Sequence, residues 1–152
     1  MNHDLRIPIT LQRVPSVEDT IADIHDRIAK RAYEKFLERG SMPGSELQDW
    51  LSAEAELIVN SRADVWIDND RVVAEIFLPD VDPSRLFPSV TRHEILVLSA
   101  PDEAGRQVFQ AAHFPEEIEL SDVTAEHSLD TLFFSAAISN SVGRTLKSMQ
   151  VA

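Results

Sequence analysis

From Arg71 to Ile138 the chain reads as short apolar runs broken by turn signals at intervals of roughly ten residues. Successive side chains of a strand point to opposite faces, so a run of period two buries one face only and needs a second layer to bury it against. That pattern predicts an antiparallel sandwich. Val72, Ala74, Ile76 and Leu78 alternate before Pro79, and Val108, Gln110, Ala112 and Phe114 alternate before Pro115. Val65 and Ile67 alternate ahead of the turn Asp68-Asn69-Asp70. Leu86 to Val90 reads as a strand that Pro88 confines to an edge or a bulge. Ile95 to Ser99 is an apolar run for burial on both faces, and Pro101 to Arg106 is a turn. Val123 to Ser128 and Leu132 to Ile138 complete the set.

The first half has a different period. Ile21, Ile24, Ile28, Ala32 and Phe36 recur at steps of three or four, which is one face of an amphipathic helix. Ser16 is its expected N-cap, Asp19 takes the capping-box position, and Gly40 is the expected stop. A second helix is expected from Ser45 to about Asn60, with Leu47, Trp50, Leu51, Leu57 and Ile58 marking its faces. Two helices joined by about five residues form a hairpin that buries too little surface to stand alone. It must dock on the sandwich or on another subunit. Ahead of it, Ile7, Ile9 and Leu11 alternate between Pro8 and Pro15, as in an extended arm or a short edge strand. The division expected is an arm over 1–16, a hairpin over 17–62, a sandwich over 63–138 and a polar tail over 139–152 with a short helix near Leu146.

Charge narrows the function. The formal net charge is −12, with 8 basic against 11 acidic residues up to Arg62 and 6 against 15 beyond it. Phosphate contacts need clustered Lys and Arg, so neither nucleic acid nor an anionic membrane is an expected partner. The absence of cysteine excludes disulfides and thiol chemistry and fits a reducing cytoplasm. No segment approaches a membrane span, and the first fifteen residues lack the apolar core of a signal peptide.

No catalytic set emerges. His3, His25, His93, His113 and His127 are scattered without zinc spacing, so no metal and no cofactor is expected. Glu54 and Glu56 lie about 200° apart on a helix and do not face each other. Glu116, Glu117 and Glu119 read as a solvated turn flanking a strand. Tyr33, Phe36 and Trp50 could cage a ligand, but at this spacing across a hairpin they read as its core. The four glycines fit no phosphate-binding loop.

Three segments carry a resemblance. Leu78-Pro79-Asp80-Val81-Asp82 ends a strand in Leu-Pro and an acidic loop, and Ala112-His113-Phe114-Pro115-Glu116-Glu117 ends a later one in Pro and an acidic pair. Ala125 to Leu132 keeps the Ala and Leu of a third motif, with Asp130 at its glycine position. Over residues 63–138 the chain resembles the α-crystallin domain of small heat-shock proteins. The resemblance implies an α+β chain, with the helical hairpin followed by an antiparallel immunoglobulin-like sandwich. It also implies a non-catalytic, ATP-independent holdase or protein-binding module for unfolded or partner proteins, compatible with a homodimer. The family's C-terminal Ile-x-Ile/Val anchor is absent after Ile138, and Pro101 to Arg106 is too short for the loop that bacterial members swap. Neither large shells nor the swapped dimer is therefore implied. Ile28 to Tyr33, Phe36, Gly40 and Trp50 to Leu57 resemble a short bacterial helical domain of unknown function, which implies architecture only.

By that resemblance, the binding groove runs between the strand at Leu86 to Val90 and the strand at Val123 to Ser128, lined by Leu86, Val90, Val123 and Ala125. The competing reading makes these four residues ordinary core. It suggests that the hairpin or the N-terminal arm lies over the groove as an intramolecular lid. The alternative function is a dedicated adaptor for a single protein partner.

Overall fold

The computed structural model describes residues 6–139, so the expected helix near Leu146 and His3 lie outside the described residues. Two helices precede the body of a sandwich whose two sheets run β1-β8-β9-β4-β3 and β2-β5-β6-β7. The strands are β1 (Ile7–Pro8), β2 (Gln12–Arg13), β3 (Arg62–Asp68), β4 (Arg71–Phe77), β5 (Leu86–Val90), β6 (Glu94–Ser99), β7 (Phe109–His113), β8 (Ile118–Ser128) and β9 (Thr131–Ile138). The helices are α1 (Glu18–Glu38) and α2 (Glu46–Leu57). Every pairing is antiparallel except β2 on β5, which is parallel.

Alternation builds the core. Val72, Ala74 and Ile76 of β4, and Leu132, Phe134, Ala136 and Ile138 of β9, all face inward and are buried. They meet Leu86 and Val90 of β5, Ile95 and Val97 of β6, and Val108 and Ala112 around β7. The Phe114 ring stacks on Phe134 at 5.2 Å, with planes 5° apart. Asn69 and Asp70 both take positive φ (49° and 63°) between Asp68 and Arg71, the geometry that a two-residue hairpin loop requires. β8 is longer than the alternation indicated. It starts at Ile118, which is fully buried, and includes Glu119, so that carboxylate belongs to a strand and not to a turn. A register shift between Ile118 and Val123 hides the strand from a period-two reading.

The hairpin packs on the second sheet. Ile24 and Ile28 of α1 and Ala53 of α2 form a second cluster with Trp50, Leu57, Leu98 and Phe109. His25 lies edge-on to both Trp50 and Phe109, at 6.0 and 6.1 Å. The Arg27 guanidinium donates to the Gln107 side-chain oxygen and the Gly105 carbonyl, which fixes α1 to the β6–β7 loop. Leaving α2, the chain bonds to the head of β7: Val59 N–H donates to Gln107 O and Gln107 N–H to Leu57 O, both 2.9 Å. Ser16 does not cap α1. Val17 takes that position, and the Ser16 hydroxyl accepts from Glu18 N–H one residue earlier than expected. Tyr33 and Phe36 are not hairpin core either. They stack on each other at 6.0 Å, and Tyr33 is exposed, because the two helices meet along Ile28, Ala32 and Ala53 instead.

Charges tie the two helices on their outer side. Arg31 and Lys35 both donate to the Glu56 carboxylate, at 2.7 and 3.0 Å. These bonds hold the Glu56 carboxyl down at about 2, below its usual range. A depressed carboxyl stabilises the folded state above its unfolded pKa, and that contribution disappears as pH falls from about 4.5 toward 2. The melting temperature of E56Q should therefore lie below that of the parent at pH 6, and the two should converge by about pH 2. A gap that persists at pH 2 would refute the ion pair as its cause. The pair is exposed, so the effect is small.

Candidate functional site

β5 and β8 lie in opposite sheets on the same side of the sandwich, and a cleft runs between their outer edges. The N-terminal arm fills it. Ile7 and Pro8 lie antiparallel to β8, opposite His127 and Glu126. Ile9 N–H donates to Ala125 O at 3.0 Å. The arm then crosses to the other sheet, where Gln12 and Arg13 lie parallel to β5 opposite Ser89 and Val90, and Val14 N–H donates to Val90 O at 3.0 Å. Leu11 enters the main core at the crossing, and Ile9 packs against it. Two polar anchors flank the arm. The Arg13 Nε donates to Leu120 O at 2.6 Å, and the Arg6 guanidinium sits 3.9 Å over the Phe133 ring and 3.9 Å from Glu126.

The four groove residues read from the sequence lie directly beneath this strap. Leu86, Val90 and Ala125 are buried members of the main core, and Val123 packs against it half-buried. The structure brings β5 and β8 to one cleft and sets the arm between them; the helical hairpin lies elsewhere, on the second sheet. The arm leaves room on both flanks. A cleft of about 680 Å³ lies between Ile7–Gln12, Asp82–Ser84 and Leu86–Pro88. Another of about 510 Å³ lies between Pro8–Leu11 and Val123–Glu126. Phe87, which the sequence reading did not single out, is 60% exposed at the first cleft. Its signal was present in the alternation of β5, where it is the outward residue between Leu86 and Pro88. His127 is buried at the same place, and its Nε2 has no hydrogen-bond partner among the described residues. At the cleft mouth the Ser84 N–H and hydroxyl both donate to Asp82 and keep its carboxyl below the usual range.

The arm is thus held as an extended strand, by backbone bonds to the edges of two sheets and by an apolar floor that takes Leu11. Among the described residues no group of three or more His, Asp or Glu side chains converges as a metal site would require. Among them, too, no helix is long and apolar enough to cross a membrane.

Fold and cleft together define the class: an α+β protein in which a helical hairpin rides on a two-sheet β-sandwich. Residues 23–57 match a family described as a protein of unknown function (DUF2934), which covers most of α1 and all of α2. Among solved structures the chain is similar to heat shock protein 16.0 from Schizosaccharomyces pombe, at 12% identity and a TM-score of 0.46, over 53% of this chain and 88% of that one. It is similar to a mutant of hsp14.1 from Sulfolobus solfataricus P2, at 13% identity and a TM-score of 0.48, over 57% and 81%. It is also similar to a small heat-shock protein from Xylella fastidiosa, at 14% identity and a TM-score of 0.45, over 53% and 86%. At such identities the likeness says nothing of activity. No curated protein matches the sequence.

Proposed function

We propose that the protein is a non-catalytic, ATP-independent holdase-type binding module, which takes extended apolar segments of unfolded proteins into the β5–β8 cleft when its own arm swings out. The observation that supports this reading is the arm. A segment of this chain already sits as a ligand would, bonded to two sheet edges with Leu11 inserted between the sheets. Leu86, Val90, Val123 and Ala125 are the proposed walls of that site. A competing segment needs apolar side chains at alternating positions and a backbone free to pair. The acidic surface would keep the complex in solution, and the cysteine-free chain suits a reducing cytoplasm.

The arm also favours a second reading. A site occupied by its own chain discriminates against weak clients, because a competitor's apparent affinity falls by the open fraction. This suits a dedicated adaptor that yields only to one tightly binding partner. The test is heat-induced aggregation of a labile client in the presence of the intact chain. Suppression at equimolar protein is the expected result for a holdase. No suppression, even in excess and with the arm released, would sink the holdase reading and leave the adaptor.

A further inference from the structure

With the arm in place, the cleft on its β5 flank is walled by two distant parts of the chain. Residues 7–12 of the arm line it from one side, residues 82–84 and 86–88 from the other, and His127 of β8 lines it as well. Its volume of about 680 Å³ is that of a small-molecule site. Like such sites it is mostly apolar, with Ile7, Leu11, Leu86, Phe87 and Pro88 in its walls and a few polar groups among them.

Those polar groups narrow the ligand. His127 is 6% exposed, and its Nε2 has no hydrogen-bond partner among the described residues. A buried polar atom left unpaired destabilises by more than a typical hydrogen bond contributes. A hydroxyl both donates and accepts, so it pairs with this nitrogen in either tautomer of the ring. Charge narrows the choice further. Asp82 is the one formally charged residue among the described lining residues, and no Lys or Arg lines the cleft to meet an anion. Asp82 Oδ1 accepts from the Ser84 N–H at 2.9 Å and from its hydroxyl at 2.8 Å, which favours the ionised carboxylate. An acidic ligand is repelled there. Phe87, 60% exposed, offers a ring face for an apolar body to cover.

We propose that this cleft takes a small uncharged alcohol or phenol with an apolar ring body, which packs on Phe87, hydrogen-bonds the His127 imidazole and locks the arm shut. The lock follows from the walls. A molecule that touches arm and sandwich together binds only the closed arrangement, and it stabilises what it binds. Ligand and client therefore weaken each other by the same factor. As a regulator of client capture the ligand rests on the function proposed above; the site itself rests only on the position of the arm.

The test uses the intact chain and three probes of one shape: 2-naphthol, 2-methylnaphthalene and 2-naphthoate. Equilibrium dialysis should show 2-naphthol binding about tenfold tighter than 2-methylnaphthalene, the worth of one hydrogen bond, and 2-naphthoate weakest. His127→Phe keeps an apolar ring in place and should bind the first two equally. Phe87→Ala, at an exposed position, should weaken both together. Hydrogen exchange reads the lock. The Ile9 and Val14 amides, bonded to Ala125 O and Val90 O, should exchange about tenfold more slowly at a 2-naphthol concentration ten times its Kd. Equal binding of 2-naphthol and 2-methylnaphthalene by the parent would mean that water alone meets His127, and would overturn the inference. So would a preference that H127F retains, binding that F87A leaves unchanged, tighter binding of 2-naphthoate, or arm amides that do not slow. None of these results touches the holdase reading, which the aggregation assay decides, and failure of that assay leaves the ligand site standing.

Discussion

Leu11→Asp is expected to open the β5–β8 cleft and tighten the binding of an added apolar peptide by about ten- to a hundredfold. Burying a leucine contributes about 1.5–3 kcal/mol, and Leu11 is 9% exposed at the point where the arm crosses between the sheets. A carboxylate in its place has no partner there and must return to water. What still holds the arm is Ile9 against the core, the exposed anchors at Arg6 and Arg13, and a few backbone bonds, each worth about 0.5–1.5 kcal/mol net. A loss of about 1.4 kcal/mol changes the open fraction tenfold, and the apparent affinity follows that fraction until the arm is wholly free. Fluorescence of an apolar dye, or anisotropy of a labelled peptide carrying alternating isoleucines, reads the change. A folded variant that binds no more tightly than the parent would show that the arm does not gate the cleft.

Phe134→Ala should cost about 3–5 kcal/mol and lower the melting temperature by roughly 10–15 °C. Phe134 is 1% exposed in the centre of β9 and loses its stacking partner Phe114 along with the filled volume. With total stability on the order of 5–15 kcal/mol, the variant retains little margin. Its neighbour Phe133 points to the outer face beneath Arg6, so Phe133→Ala should cost about 1 kcal/mol or less. Thermal melts of the two variants check the face assignment directly. Equal losses would mean that β9 is out of register.

The same pair illustrates what a sequence carries. Phe133 and Phe134 are identical in composition, and only the period-two phase of Leu132, Phe134, Ala136 and Ile138 tells the inward one from the outward one. That phase is local and therefore legible. So were the turn at Asn69-Asp70 and the amphipathic face of α1. The start of β8 was not legible, because a register irregularity between Ile118 and Val123 breaks the alternation that announces a strand. Nor was the exposure of Tyr33, since helical spacing places a residue on a face without saying which face meets the neighbour.

The arm marks the boundary between the two kinds of information. Alternation of Ile7, Ile9 and Leu11 by itself determined that this segment is extended and has one apolar side. The partners it takes, His127 and Glu126 on one sheet and Ser89 and Val90 on the other, were decided only by the tertiary structure. Backbone pairing carries no residue code, and any open edge offers the same N–H and C=O groups. The choice falls to whichever edges the folded sandwich leaves bare within reach of the arm. The burial of Leu86, Val90 and Ala125 was decided at that same level, by a strand from the far end of the chain.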